Sequence, residues 1–186
     1  MLTLITGGAR SGKSRYALWL AAPFRRRAFI ATAEPLDEEM RRRIAAHRRD
    51  RDASFHAIEE PLDLAAALAA VPAGTEIAVI DCLTLWLGNL VHRSADGADL
   101  ASPSTFPQIA AFLERLDEGP PCGLIVVTNE VGMGIVPADP VARAFRDLTG
   151  WVNQELAARA RRLILMVSGV PFEGAPSRSE RIGSLR

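Results

Sequence analysis

The 186-residue chain is almost without lysine: Lys13 is its only one, and every other fixed cation is arginine. An arginine-favouring coding bias removes lysine wherever arginine serves equally well, and a compact ammonium at a phosphate is one place where it does not. Net charge is absent too, with 22 acidic and 22 basic residues. No global field therefore draws the chain to nucleic acid or to an anionic membrane, and any anion must be held by local geometry. Aromatic residues make up only 6%, which together with neutrality argues against an ATPase acting on nucleic acid. The expected partners are small molecules. The two cysteines, Cys82 and Cys122, are far apart and lack metal-ligand spacing. They read as buried free thiols in a reducing cytosol rather than a disulfide.

No secretory signal is recognised before the first apolar run, so the expected location is cytoplasmic. The longest apolar stretch, Ile77 to Val91, is interrupted by Asp81 and punctuated by Gly88 and Asn89. It reads as a buried strand plus a helix, with no membrane span. Repeats and linkers are missing as well, and the length suits one core. The expected organisation is one domain over 1–170 and a polar, poorly ordered tail over 171–186.

What is present is alternation. Strand patterns at Leu2 to Thr6, Ala28 to Thr32, Phe55 to Ile58, Glu76 to Cys82, Gly123 to Thr128 and, last, Leu163 to Ser168 alternate with helical ones. The helices are expected at Lys13 to Ala22, Leu36 to about Arg51, Leu62 to Val71, Leu83 to about His92, up to about Asp117, and Asp139 to Arg161. The stretch from Arg93 to Pro107 has loop composition. This order predicts an α/β fold with a parallel sheet covered on both faces.

Between the first strand and first helix stands Gly7-Gly8-Ala9-Arg10-Ser11-Gly12-Lys13-Ser14, the GxxxxGKS pattern of a phosphate-binding loop. Its glycines let backbone amides wrap phosphate oxygens, Lys13 reaches the β- and γ-phosphates, and the Ser14 hydroxyl ligates Mg²⁺. Asp81 ends the apolar strand Ile77-Ala78-Val79-Ile80, where the acidic partner of such a loop holds the magnesium; it also suits a cap for the next helix. Glu130 follows the next strand, at the sheet edge where ligands of open α/β folds bind.

On the helix from Leu36, the positions Leu36, Met40, Ile44, His47 and Arg51 form one stripe, so His47 faces the protein. Spacing alone favours a packed, hydrogen-bonded histidine, although a neutral imidazole beside a triphosphate can also attack phosphorus. Arg51 on the stripe is a better phosphate ligand than the arginines at 41, 42, 43, 48 and 49, most of which read as a solvated face. His56 and His92 read as structural.

The chain resembles the bifunctional adenosylcobinamide kinase/adenosylcobinamide-phosphate guanylyltransferases of cobalamin biosynthesis. The resemblance runs through Thr6 to Arg15, Ile30-Ala31-Thr32-Ala33, Asp37-Glu38-Glu39-Met40 with Arg43-Ile44 and His47, and Val127 to Pro137. It continues through Phe145-Arg146-Asp147 and Val152-Asn153-Gln154. It implies a RecA-like P-loop fold that phosphorylates the aminopropanol hydroxyl of adenosylcobinamide with ATP or GTP. The same enzyme then transfers GMP from GTP through a guanylylated histidine, matched here by His47. It further implies nucleotide contacts at Gly7 to Ser14, Ala31, Thr32, Ala33, Arg48, Arg49, Asp50, Arg51, Glu59 and Asp81, and a homotrimer. A plain small-molecule kinase without a histidine adduct is the nearest alternative. A GTPase switch would carry an NKxD-type motif, and Thr128-Asn129-Glu130-Val131 lacks its lysine and aspartate.

Overall fold

The computed structural model describes residues 1–35, 37–38, 40–42, 44–45, 54–94 and 97–174. Among the described residues, seven strands form one sheet in the order β3-β2-β4-β5-β1-β6-β7. They are β1 (Leu2–Gly7), β2 (Arg27–Ala31), β3 (Phe55–Glu59), β4 (Ile77–Asp81), β5 (Gly123–Val127), β6 (Arg162–Val167) and β7 (Val170–Gly174). All pairs are parallel except β6 with β7.

The continuous apolar runs of β1, β4 and β5 are what a strand buried on both faces requires. Their residues alternate between two cores. On one face Ile5, Phe29, Val79, Ile125 and Val127 pack under Ala17 and Ala21 of α1 (Lys13–Ala21). On the other, Leu4, Ile30, Ile80, Leu124 and Val126 meet α2 (Leu64–Ala69), α3 (Leu83–His92), α4 (Pro107–Asp117) and α5 (Pro140–Arg159). Trp86 of α3 is fully buried there, edge-on to Phe112 at 5.5 Å, with its indole N–H donating to the Leu62 carbonyl at 2.8 Å. Two of the helices begin at side-chain caps: Asp63 and Asp139 accept from the Ala66 and Ala142 N–H groups at 2.9 and 2.7 Å.

Glu38, Met40, Arg41, Arg42, Ile44 and Ala45 are helical, but the remainder of the helix expected to reach Arg51 lies outside the described residues. Beyond β6 the structure departs from expectation. Leu163 to Ser168 is not the last strand, because Ser168 (φ 50°) and Gly169 (φ 85°) make a tight turn into β7. Arg162 clamps the new strand by donating from Nε and Nη2 to the Glu173 carboxylate at 2.6 and 2.9 Å. Pro171 and the exposed, mixed composition hid this strand, and both are properties of a sheet edge.

Consecutive strands β1 and β2 are separated in the sheet by β5 and β4. Such a reversal of order opens a crevice at the carboxyl ends of the strands, where an open α/β sheet takes its ligand.

Candidate functional site

Gly7 ends β1 with φ +145°, and a Cβ on it would stand 2.4 Å from the Met166 carbonyl oxygen of β6. Only glycine lets the two strand ends approach so closely. The chain then turns through Arg10 (φ 57°) and Gly12 (φ 94°) into α1. No side chain caps that helix, so its first N–H groups remain available to an anion, with the helix dipole behind them.

Lys13 is 7% exposed. Its Nζ donates to the carbonyls of Gly7 at 3.0 Å and Gly8 at 2.6 Å. Burial lowers its pKa below the usual lysine value, opposed by the nearby Asp81 and Glu130 carboxylates.

Asp81 is positioned from β2. The fully buried Thr32 hydroxyl donates to the Cys82 carbonyl at 2.7 Å and accepts from the Cys82 N–H at 2.9 Å, while the Thr32 N–H reaches the Asp81 carbonyl at 3.4 Å. The Thr32 carbonyl in turn accepts from Asn89 Nδ2 at 2.8 Å. Thr32 therefore spends its polar groups on the protein and holds the end of β4 in place. Burial, reinforced by the charge of Asp81, pushes the Cys82 thiol up to about 12, so it stays protonated and does not act as a nucleophile. Cys82 and Cys122 are unpaired, as expected, but only partly buried.

Ala9 to Ser14, Asp81 and Asn129 line an open cleft of about 920 Å³. A smaller cavity of about 250 Å³ adjoins it, lined by Phe29, Ala31, Ala33, Glu59, Asp81 and Leu85. Asp81 and Leu85 face both spaces. Four of the expected nucleotide contacts outside the loop, Ala31, Ala33, Glu59 and Asp81, thus share one cavity beside the phosphate loop. His47, Arg48, Arg49, Asp50 and Arg51 lie outside the described residues.

Two arginines read from sequence as a solvated face are exposed as expected and also border the site. Arg41 lines the cavity and Arg42 the cleft. Helical spacing alone could not mark them, because the side that meets the site depends on how the segment docks across the sheet edge. Asn129 was missed as well; its N–H and Nδ2 reach the Thr84 hydroxyl at 2.9 and 3.1 Å.

Glu130 N–H donates to the Gly7 carbonyl at 3.2 Å. Its Oε1 accepts from the Thr6 hydroxyl at 2.5 Å and from Asn153 Nδ2 at 3.4 Å. Asn153 also donates to the Asn129 carbonyl at 3.1 Å and accepts from the Thr128 hydroxyl at 2.8 Å, so β1, β5 and α5 are joined in one polar network. His56 and His92 are exposed on β3 and at the end of α3.

Magnesium fits the donors present. Ser14 and Asp81 offer hard oxygen ligands to one cleft, and among the described residues no cluster of three or more acidic, histidine or cysteine side chains forms a dedicated metal cage. Mg²⁺ that keeps several waters and is carried largely by substrate phosphates needs no more. Among the described residues no helix is long and apolar enough to cross a membrane.

A family model described as cobinamide kinase / cobinamide phosphate guanyltransferase matches residues 3–173. The chain is 43% identical over 177 residues to the bifunctional adenosylcobalamin biosynthesis protein CobP of Pseudomonas aeruginosa, covering 92% of this chain and 96% of that one. It is 37% identical over 180 residues to the Escherichia coli K12 protein of the same description, CobU, covering 91% and 97%. Among solved structures, an ATPase of a bacterial type III secretion system superposes with a TM-score of 0.54 at 12% identity, over 89% of this chain and 51% of that one. That last likeness concerns the fold, a mostly parallel RecA-like P-loop sheet.

Proposed function

The chain belongs to the cobinamide kinase / cobinamide phosphate guanyltransferase family, and we propose that it performs both reactions on nucleotides held by one phosphate loop. It is a bifunctional enzyme of adenosylcobalamin biosynthesis. In the kinase step the aminopropanol hydroxyl of adenosylcobinamide attacks the γ-phosphorus of ATP or GTP, and the nucleoside diphosphate leaves. Lys13 and the uncapped start of α1 draw charge from the phosphate oxygens as that bond breaks. Ser14 and Asp81 would hold Mg²⁺, which neutralises phosphate charge when bound.

In the transferase step His47, unprotonated, attacks the α-phosphorus of GTP. A P–N bond forms and pyrophosphate departs. An oxygen of the corrinoid phosphate then attacks that phosphorus and breaks the P–N bond, giving adenosylcobinamide-GDP and regenerating the imidazole. The two steps put different phosphorus atoms under attack, so the nucleotide must have more than one place to lie. The observation that supports this reading is the pairing of the loop cleft with the Ala31–Glu59 cavity across Asp81. Arg48 to Arg51 are expected to add nucleotide contacts, and a homotrimer in the cytoplasm is expected on the family resemblance.

The test is to incubate the protein with Mg²⁺ and GTP labelled at the α-phosphorus, denature it and measure label on the chain. Acid-labile, alkali-stable label that disappears in His47→Ala is the expected result. Wild-type protein that takes no label with ample GTP would leave only the kinase.

A further inference from the structure

The kinase reaction needs a group to take the proton of the attacking hydroxyl, and the phosphate loop supplies none, since Lys13 is a donor at the phosphates. We propose that Glu130 is the general base for the corrinoid hydroxyl, an inference that rests on the kinase reading of the site. Its placement carries the argument. The Gly7 carbonyl accepts both from Lys13 Nζ at 3.0 Å and from the Glu130 N–H at 3.2 Å, so the glutamate stands beside the lysine that the loop motif assigns to the phosphates.

Its two carboxylate oxygens are used differently. Oε1 is anchored by the Thr6 hydroxyl at 2.5 Å and by Asn153 at 3.4 Å. Oε2 accepts no hydrogen bond from any described residue, and it is not among the buried atoms left without a partner. A carboxylate pinned by one oxygen and open at the other is pre-oriented to receive a proton, because little side-chain freedom remains to be lost at the moment of transfer. The chain leads from Glu130 into a loop whose Met133, Ile135 and Val136 are 74%, 96% and 63% exposed. Those exposed apolar side chains, close to Glu130 in the chain, suit contact with a large organic acceptor.

The step balances simply. The hydroxyl oxygen forms a bond to the γ-phosphorus, the bridging bond to the β-phosphate breaks, the nucleoside diphosphate leaves with that electron pair, and the hydroxyl proton passes to Glu130 Oε2. Attack by an unprotonated imidazole on GTP releases no proton that needs a base. The two reactions should consequently differ in their need for Glu130.

The experiment compares wild type and Glu130→Gln in both assays: phosphate transfer from γ-labelled ATP to adenosylcobinamide, and α-labelling of the chain by GTP. The amide keeps an oxygen for Thr6 and Asn153 but takes no proton. The expected result is a kinase kcat lower by about a hundredfold or more, with the KM for ATP little changed and chain labelling much less affected. A kinase kcat close to wild type overturns the inference, as does an equal loss in both assays, which would make Glu130 a support of the shared nucleotide site. If the glutamine variant does not fold, Glu130→Asp serves: it keeps the charge but withdraws it by one methylene, so kinase kcat should fall about tenfold with ATP KM maintained, and an unchanged kcat overturns the inference. Wild-type protein that transfers no phosphate to adenosylcobinamide would sink the kinase reading itself, a result distinct from either.

Discussion

Lys13 and Glu130 meet at one atom, the carbonyl oxygen of Gly7, which accepts from the lysine ammonium and from the glutamate N–H. The phosphate loop is thereby fastened to the end of the neighbouring strand. The cation that binds phosphate is also surrounded by Glu130 and Asp81, which partly offset the cost of its burial.

Replacing Lys13 should abolish both reactions while leaving the fold intact. Lys13→Arg keeps the charge but not the compact ammonium that fits among the Gly7 and Gly8 carbonyls. Losses of about a hundredfold or more in kinase kcat/KM and in chain labelling are expected, given what phosphate-cradling donors contribute elsewhere. Circular dichroism should be unchanged.

Nucleotide affinity should fall at alkaline pH with a midpoint below 10.5, the ordinary lysine value. The sign follows from burial: desolvation favours the neutral amine, so free protein loses the Lys13 charge earlier than an exposed lysine would, and a neutral amine no longer attracts phosphate. A Lys13→Arg variant, whose guanidinium keeps its proton throughout this range, assigns the limb by lacking it. Fluorescence titration with a labelled nucleotide between pH 8 and 11 checks it, and affinity constant across that range contradicts it.

Gly7→Ala should destabilise the protein even without ligand. The backbone conformation alone costs about 1–3 kcal/mol for a residue with a side chain. The added Cβ also stands 2.4 Å from the Met166 carbonyl, so β1 and β6 must separate. Urea unfolding of the variant should show a lower midpoint with a similar slope.

Thr32→Val removes a hydroxyl that both donates to and accepts from the Cys82 backbone. Leaving those buried groups unpaired costs about 1–3 kcal/mol. Because Cys82 follows Asp81, the variant should also need more Mg²⁺ for half-maximal kinase activity. A stability loss with no change in the Mg²⁺ requirement would confine Thr32 to packing.

Much of the fold was legible because its cues are local. The buried runs Leu2 to Thr6, Ile77 to Ile80 and Leu124 to Val127, with helical periodicity between them, carried the doubly covered parallel sheet. β7 was not, since an edge strand with Pro171 and five exposed residues has neither a buried face nor a two-residue apolar rhythm. In the site, the phosphate loop was legible because GxxxxGKS describes a continuous piece of backbone. Arg42 and Asn129 were not, because nothing in their immediate neighbours distinguishes them from solvated residues.

The sequence by itself determined the chemistry available: one lysine in a glycine loop, a carboxylate at the end of a buried strand, and the motifs that mark the family. Tertiary structure decided the partnerships. Only the insertion of β5 between β4 and β1 sets Glu130 against Gly7, 123 residues away in the chain, and fixes its Oε1 to Thr6 across a separation of 124. Hydrogen bonds of that kind depend on strand order and register, which arise from burying both faces of the whole sheet at once and leave no mark in the residues on either side.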